Sequence, residues 1–304
     1  MAGVAAVVLN FRTPEKTVAC LRSLVEEGIT RIVLVENSED AGASLSVMRE
    51  AMAILRDDGA TIDVLDQGRN LGFAAGVNHA LGHVMSQSPT DVLLLNSDAR
   101  LVHGCVRALR ATLAAGADVA APMLVSRDGR VHSPLSHYQR HVGLLTRRRL
   151  PGSLPFITGA CMLLSERIVV SDLFDEDFFF YGEDVMLAEE LRLAGKTSAV
   201  VQEGRVLHEG AGSARNGSLF YEYHVNRGNL LLGSKLMTSG VSRATALLGR
   251  CAFLPARAIF RTIKTSGSAA LQGVCMAWVD VANDQVRSLT SPFTGHGDAE
   301  GKSQ

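Results

Sequence analysis

Carboxylate and amide side chains follow several predicted buried strands of this chain, at the point where each strand ends. A carboxylate can accept the N3–H of a uracil or thymine ring, and amides can bond the rest of the base or the ribose. Ligands of open α/β sheets bind outside the carboxyl ends of the strands, so a nucleotide site is one interpretation and ordinary turn chemistry the other. The residues concerned are Asn10, Phe11, Glu36, Asn37, Asn70, Gly72, Asn96, Ser97 and Asp98.

Asp98 is the most informative of these residues because it ends the segment Asn96-Ser97-Asp98, which directly follows the apolar run VLLL of the predicted strand at 91–95. A carboxylate in that place would repel a diphosphate unless a divalent cation lay between them. Mg²⁺ and Mn²⁺ bind through one or two carboxylates together with substrate phosphate oxygens. Asp98 is therefore predicted to be a metal ligand, and the alternative is that it caps a helix beginning near Val102.

Acidic and aromatic residues alternate over 174–184, in the order FDEDFFFYGED. Glu183 and Asp184 open a predicted helix, whose dipole favours their anionic forms. A carboxylate beside an acceptor hydroxyl can act as a general base. The aromatic residues either form a wall of a sugar subsite or pack in the core, and the two carboxylates either do chemistry or simply begin a helix.

His208 follows a further predicted strand and precedes a Gly- and Ser-rich stretch. An imidazole there can complete a metal shell or bond a phosphate. A structural histidine is the alternative interpretation.

The elements that must position these residues alternate along the first half of the chain. Continuous apolar runs between amphipathic helical patterns are typical of a parallel sheet covered on both faces. Strands are predicted at 4–9, 31–35, 61–65 and 91–95, then at 118–125, 156–164 and 197–202, with a helix at 184–194 and helices from Tyr221 onward. Neither GxGxxG after the first strand nor GxxxxGK[ST] occurs, so the commonest phosphate cradles are absent.

Composition narrows the class of protein further. The formal net charge of −1 argues against nucleic acid as a partner. Five scattered cysteines without a CxxC pair indicate neither a zinc ribbon nor a disulfide framework. The apolar N-terminal run is interpreted as a strand, and the uncharged stretch at 265–279 is shorter than the roughly 18 residues of a membrane span. A cytoplasmic protein is predicted, with the inner face of the membrane as one location.

Four ordered motifs between residue 4 and about residue 232 resemble glycosyltransferase family 2. They are VVLNF followed by VENSED, NLGFAAGVN, LLLNSD, and ITGACMLL followed by LFDEDFFFYGEDVML and HEGAGS. The likeness is greatest to the rhamnosyltransferase-like branch, and it implies a GT-A fold: an α/β nucleotide-binding sheet flanked by helices, with a mostly helical C-terminal extension.

The resemblance also implies roles for individual residues. Asp98 corresponds to the metal-binding aspartate of a shortened DxD motif, and Asp184, next to Glu183, to the base that deprotonates the acceptor. Glu36 corresponds to the residue that reads the nucleobase, and His208 to the histidine near the diphosphate. Donor binding is further implied for Asn70, Gly72 and Asn78. Met186 and Glu190 depart from the family pattern Glu-Asp-Val-Asp-Leu and its later arginine.

The predicted activity is inverting transfer of a sugar from a UDP- or dTDP-linked donor, with rhamnose or another deoxysugar as one option, to a hydroxyl of a glycan, lipid-linked or natural-product acceptor. Mg²⁺ or Mn²⁺ is the implied cofactor. A catalytic domain is predicted at 1–215, with a donor half at 1–115 and an acceptor half at 116–215. A helical region follows at 216–290, and a loose tail at 291–304.

Two surfaces are candidates for partners. Arg147, Arg148 and Arg149 can meet an anionic acceptor or belong to a solvated loop. The C-terminal helices, which contain Phe253 and Phe260, can touch a membrane, form a homodimer or pack in the core.

Other classes of function compete with glycosyl transfer. A degenerate transferase that only binds nucleotide or carbohydrate would not need both Asp98 and Asp184. A nucleotidyltransferase would need a Gly- and Arg/Lys-rich loop after the first strand, which residues 10–14 lack. An oxidoreductase is disfavoured by the missing glycine fingerprint.

Overall fold

The computed structural model describes residues 3–208, 217–265 and 267–290, with side chains described up to residue 284. The strands are β1 (Val4–Asn10), β2 (Arg31–Glu36), β3 (Thr61–Asp66), β4 (Asp91–Asn96), β5 (Ala99–Leu101), β6 (Val119–Val125), β7 (Val131–His132), β8 (Leu135–Gln139), β9 (Leu144–Thr146), β10 (Ser153–Ile157), β11 (Cys161–Leu164) and β12 (Ser198–His208). The helices are α1 (Pro14–Glu26), α2 (Ala43–Asp57), α3 (Gly72–Gln87), α4 (Cys105–Ala114), α5 (Glu183–Leu193), α6 (Leu219–Lys235), α7 (Gly240–Thr265) and α8 (Ala269–Thr290).

A large mixed sheet forms the centre of the fold. Its strands lie in the order β3-β2-β1-β4-β11-β6-β12-β5, and β7 pairs with β6. The first four strands are mutually parallel, as the apolar runs predict, whereas β11 is antiparallel to both of its neighbours. The predicted α/β class with a helical C-terminal part is confirmed.

Helices cover both faces of this sheet. On one face, α1, α2 and α4 bury residues such as Leu24, Met48 and Leu109 against the sheet. On the other face, α3 and α5 bury Leu81 and Leu191 in a second core. Strands that are covered on both sides must be apolar throughout, which is why the sequence shows runs rather than alternation.

The predicted strand at 156–164 is two strands in the structure. β10 pairs with β8 in a small three-stranded sheet, and β11 joins the large sheet. Between them the Thr158 N–H donates to the Pro134 carbonyl, and the Ala160 carbonyl accepts from the Asn96 N–H. The chain therefore changes sheets beside the end of β4, which an uninterrupted apolar pattern does not reveal.

The three C-terminal helices pack on one another around a separate apolar cluster that includes Leu230, Leu254 and Val274. Helical structure from Tyr221 onward agrees with the sequence prediction, and the predicted tail at 291–304 lies outside the described residues. The division of the chain at residue 215 stays a prediction. Within the described ranges, no helix has a stretch long and apolar enough to cross a bilayer.

Candidate active site

The predicted strand-end residues meet at one edge of the large sheet. In the register of the parallel strands, Asn10 is opposite Glu36, and Leu9 is opposite Asn96. His208 is distant from these residues in the sequence but lies at the same edge, because β12 runs antiparallel to β5 and pairs His208 with Ala99. Backbone pairing thus places His208 beside Asp98.

A cavity of about 840 Å³ opens at this edge. Most of the residues proposed from the sequence line it, namely Phe11, Asn37, Asn70, Gly72, Asn96, Ser97, Asp98, Glu183, Asp184 and His208. Asp98 and Asp184 therefore share one cavity, although they lie far apart in the chain.

Asp98 and His208 form a close polar pair on the wall of this cavity. His208 Nε2 lies 3.4 Å from Asp98 Oδ1, and both side chains are largely shielded from solvent. No group of three or more metal-binding side chains occurs among the described residues. One carboxylate and one imidazole are a donor set that suits a cation which takes its remaining ligands from phosphate oxygens and water. Asp98 does not cap α4, whose N-cap is Gly104.

Glu183 and Asp184 lie in the first turn of α5, on the cavity wall. Burial raises the pKa of Asp184 to about 6, against the opposing effect of the Val185 and Gly159 N–H groups. Burial, and then the charge of Asp184, raises the pKa of Glu183 to about 8. Asp184 therefore loses its proton first and is a carboxylate near neutral pH, whereas Glu183 is still protonated there.

The turn that leads into α5 is held in an uncommon conformation. Tyr181 and Gly182 both have positive φ, of 68° and 110°. Gly228 of α6 packs so closely that a Cβ atom there would collide with the Tyr181 carbonyl, and a Cβ on Gly182 would meet the Phe178 ring. α6 thus fixes the turn that carries Asp184, a positioning role that no sequence motif signals.

The segment at 70–73 is hydrogen-bonded to the same acidic and aromatic segment. The Phe73 N–H donates to the Phe179 carbonyl, with an N···O distance of 2.8 Å. Gly72 has φ of 78°, and a Cβ atom there would come within 2.8 Å of the Phe179 ring. Asn37 holds the segment at 71–72 by donating to the Gly72 carbonyl and accepting from the Leu71 N–H. The contact of Gly72 and Phe73 with Phe179 brings the NLGF and FFFYGED motifs together.

Three predicted residues do not line the cavity. Asn10 donates to Glu36 Oε2 at 2.7 Å and accepts from Thr17, while Glu36 Oε1 accepts from the Ser38 N–H. Asn78 accepts from the Phe174 N–H and donates to its carbonyl. All three side chains are buried and stabilise the loops around the cavity. Reading of the nucleobase by Glu36 stays a prediction.

The aromatic segment divides between the two roles that the sequence leaves open. Phe174 and Phe178 are buried in the core, whereas Phe179, Phe180 and Tyr181 line the cavity. Sequence reasoning missed the continuation of this wall, which α6 and α7 supply through Phe220, Tyr221, Phe253, Arg257, Phe260 and Arg261.

His224 of α6 supports this aromatic wall from behind. Its ring stacks on Phe179 with centroids 5.0 Å apart and packs against Phe220 at 4.4 Å. Burial, and then the charge of Arg227, lowers the pKa of His224 to about 4, so the ring is neutral at physiological pH. Only the clustering of aromatic residues at 220–224 could have indicated this from the sequence.

The family model described as "Glycosyltransferase like family 2" matches residues 2–222, which include the cavity carboxylates Asp98, Glu183 and Asp184. The chain belongs to glycosyltransferase family 2. No curated protein matches it significantly. The match ends within α6 and so covers the large sheet, Glu183 and Asp184, and the first residues of α6.

Solved structures similar to this family 2 chain share its GT-A fold. The mannosyltransferase PcManGT from Pyrobaculum calidifontis, solved with GDP-Man and Mn²⁺, aligns with a TM-score of 0.54 and 14% identity over 96% of this chain and 88% of its own. GalNAc-T7, solved with UDP, GalNAc and Mn²⁺, aligns with a TM-score of 0.51 and 11% sequence identity over 81% of this chain. TarS from S. aureus aligns with a TM-score of 0.51 and 14% sequence identity over 80% of this chain. The matched region spans 53% of GalNAc-T7 and 41% of TarS.

Proposed function

We propose that this glycosyltransferase family 2 member inverts the anomeric carbon of a nucleoside-diphosphate sugar while transferring the sugar to a hydroxyl group. The observation that carries the proposal is the shared cavity, with Asp98 and His208 on one part of its wall and Asp184 on another. The donor diphosphate belongs beside Asp98, and the acceptor hydroxyl beside Asp184.

Asp184 acts as the general base. Its carboxylate accepts the acceptor hydroxyl proton as the acceptor oxygen bonds to the anomeric carbon. The bond from that carbon to the diphosphate oxygen breaks, and its electron pair leaves with the nucleoside diphosphate. A base whose pKa is raised to about 6 is matched to neutral pH better than an ordinary aspartate.

Asp98 and His208 are the proposed ligands of Mg²⁺ or Mn²⁺, and the donor set fits such an ion because the diphosphate can supply the missing oxygens. When bound, the ion neutralises charge on the diphosphate leaving group. Asp98 and His208 would hold that ion at the sheet edge, while the aromatic wall excludes water from the reacting carbon.

The proposed donor is a UDP- or dTDP-linked sugar, including rhamnose and other deoxysugars, and the proposed acceptor is a glycan, lipid-linked or natural-product hydroxyl. Phe11, Asn37 and Asn70 line the cavity, and we propose them as residues that contact the nucleoside. The PcManGT structure contains a guanine nucleotide, so GDP-mannose belongs in any donor test.

The test combines nucleotide binding with product formation. A thermal-shift panel of UDP, dTDP and GDP with and without Mn²⁺ is expected to show a metal-dependent rise for a pyrimidine nucleotide, since ligands of the native state raise its stability. Asp98→Asn should remove the metal-dependent part. Incubation of the matching donor sugars with hydroxyl acceptors should give an inverted glycoside. Metal-dependent nucleotide binding without any turnover of donor would instead support a degenerate binding protein.

A further inference from the structure

α7 turns an apolar stripe towards solvent. Val241, Leu248, Ala252, Ile259 and Ile263 recur at intervals of seven and four residues, and all five side chains are exposed. Such intervals place side chains on one face of a helix. Val241 is 78% exposed and Ile263 is 74% exposed, so nothing among the described residues covers either end of the stripe.

Three of the five charged side chains of α7 are covered by the protein instead of lying beside this stripe. Arg250 is fully buried and donates to backbone carbonyls, including those of Asn229 and Arg140. Arg257 and Arg261 are mostly covered and both bond the buried Glu222 of α6. Exposed charges of α7 therefore occur only near its two ends, whereas a surface helix usually points its charges outward along its whole length.

The charge of α7 has a single sign. Its five charged residues are all basic, namely Arg243, Arg250, Arg257, Arg261 and Lys264, and it contains no acidic residue. Arg243 and Lys264 are exposed near the two ends of the stripe. A second copy docked across a two-fold axis would bring two such helices together, and their exposed Arg243 and Lys264 side chains would repel. An anionic lipid surface complements the positive charges of Arg243 and Lys264, and its acyl chains can bury the apolar stripe.

We propose that α7 docks this chain on an anionic membrane surface. The helix lies in the plane of the interface, with the stripe in the acyl boundary and with Arg243 and Lys264 among the lipid headgroups. Exposed apolar residues of the neighbouring α8, such as Met276 and Val279, extend the contact.

The docked orientation places the cavity next to the lipid. Phe260 is 66% exposed and also lines the cavity. Arg257 and Arg261 line the cavity beside it. The rim of the cavity would thus be level with the headgroups, where a lipid-borne acceptor can enter. This last point rests on the proposed transfer activity, whereas the docking itself does not.

Vesicle flotation of the full chain tests the docking. Vesicles of phosphatidylcholine with about one third phosphatidylglycerol should carry the protein, and pure phosphatidylcholine vesicles should carry much less. Raising salt from about 0.1 to about 0.5 M should weaken the binding. The double variant Ile259→Glu, Ile263→Glu should bind these anionic vesicles at least roughly tenfold more weakly than the wild type, because it puts two carboxylates into the stripe.

Val47→Glu, Ile54→Glu on α2 is the matched control, since these residues are 53% and 51% exposed and lie outside the stripe. It should float like the wild type. Thermal shift with UDP and Mn²⁺, run on both variants, separates loss of docking from loss of folding or of donor binding. Equal flotation of the two variants, equal binding to both vesicle types, or a wild-type dimer that the α7 variant abolishes without any vesicle binding would overturn the proposal.

Discussion

Replacing Glu183 with glutamine is expected to stabilise the protein increasingly as pH rises. Glu183 is only 8% exposed, and its Oε2 atom has no hydrogen-bond partner among the described residues. Burial, and then the neighbouring Asp184, raises its pKa to about 8. Glutamine has nearly the same shape as the protonated glutamic acid and cannot ionise, so the variant keeps the neutral form at every pH.

The size of the effect follows from proton linkage. The pKa of Glu183 is about 8 in the folded chain, above the ordinary value of 4.5. The bound proton therefore stabilises the folded wild type fully below pH about 4.5, and this contribution is lost as pH rises through about 8. At about 1.4 kcal/mol per pH unit, the wild type loses about 1 kcal/mol by pH 5 and about 4 kcal/mol by pH 8. The stability difference between variant and wild type should thus grow by about 3 kcal/mol.

Urea unfolding of both proteins at several pH values between about 5 and about 8 measures this difference. Comparing the two proteins at each pH cancels the titrating groups that do not interact with Glu183. Glu50→Gln, on the exposed face of α2, makes the same substitution outside the site and serves as the control. A difference that stays constant across the pH range would refute the assignment of a buried, protonated Glu183.

Three further predictions concern the turn, the base and α7. Gly228→Ala should destabilise the fold by about 1–3 kcal/mol and slow transfer, because its methyl group would collide with the Tyr181 carbonyl; Gly240→Ala, which meets open space, is the control, and equal melting temperatures would contradict this packing. Transfer should slow about tenfold per pH unit below pH about 6, as Asp184 gains a proton, and a rate profile that is flat to pH about 4 would exclude Asp184 as the base. Arg250→Ala should cost about 3–5 kcal/mol in urea unfolding, since it leaves the Asn229, Arg140 and His141 carbonyls without their guanidinium donor; a loss below about 1 kcal/mol would contradict that role.

Local pattern is sufficient to predict the first half of the fold. The parallel strands β1, β2 and β4 contain continuous apolar runs, and the residue at the carboxyl end of each run is therefore known from the sequence. That is why the sequence alone places Asp98 at the sheet edge. The same reasoning places Asp184 at the start of a helix, one residue from its observed beginning at Glu183.

Long-range pairing decides what the sequence leaves open. His208 lies beside Asp98 because β12 pairs with β5, and no periodicity within either strand predicts that pairing. Asn10 and Glu36 end adjacent strands, as expected, but they bond each other instead of facing the cavity. A strand-end position tells where a side chain starts, whereas its partner depends on which polar groups the fold brings within reach.

The helical part of the site is the least accessible to sequence reasoning. Gly228 looks like an ordinary helix-weakening glycine, and its role exists only because α6 crosses the backbone at Tyr181. Arg257 and Arg261 resemble solvated charges of an amphipathic helix, yet they turn towards Glu222 and the cavity. Such contacts depend on packing between elements far apart in the chain.

We propose that, within one cavity, Asp98 binds the donor diphosphate through a divalent cation and Asp184 takes the proton of the acceptor hydroxyl. Calorimetric titration of nucleoside diphosphate with Mn²⁺, paired with single-turnover transfer from the matching sugar donor, tests it in Asp184→Asn and Asp98→Asn. We predict that Asp184→Asn binds nucleotide like the wild type but transfers at least about 100-fold more slowly, whereas Asp98→Asn loses metal-dependent binding. A wild-type rate of transfer by Asp184→Asn would contradict the role of Asp184 as the base, and unchanged metal-dependent binding by Asp98→Asn would contradict the role of Asp98 as a metal ligand.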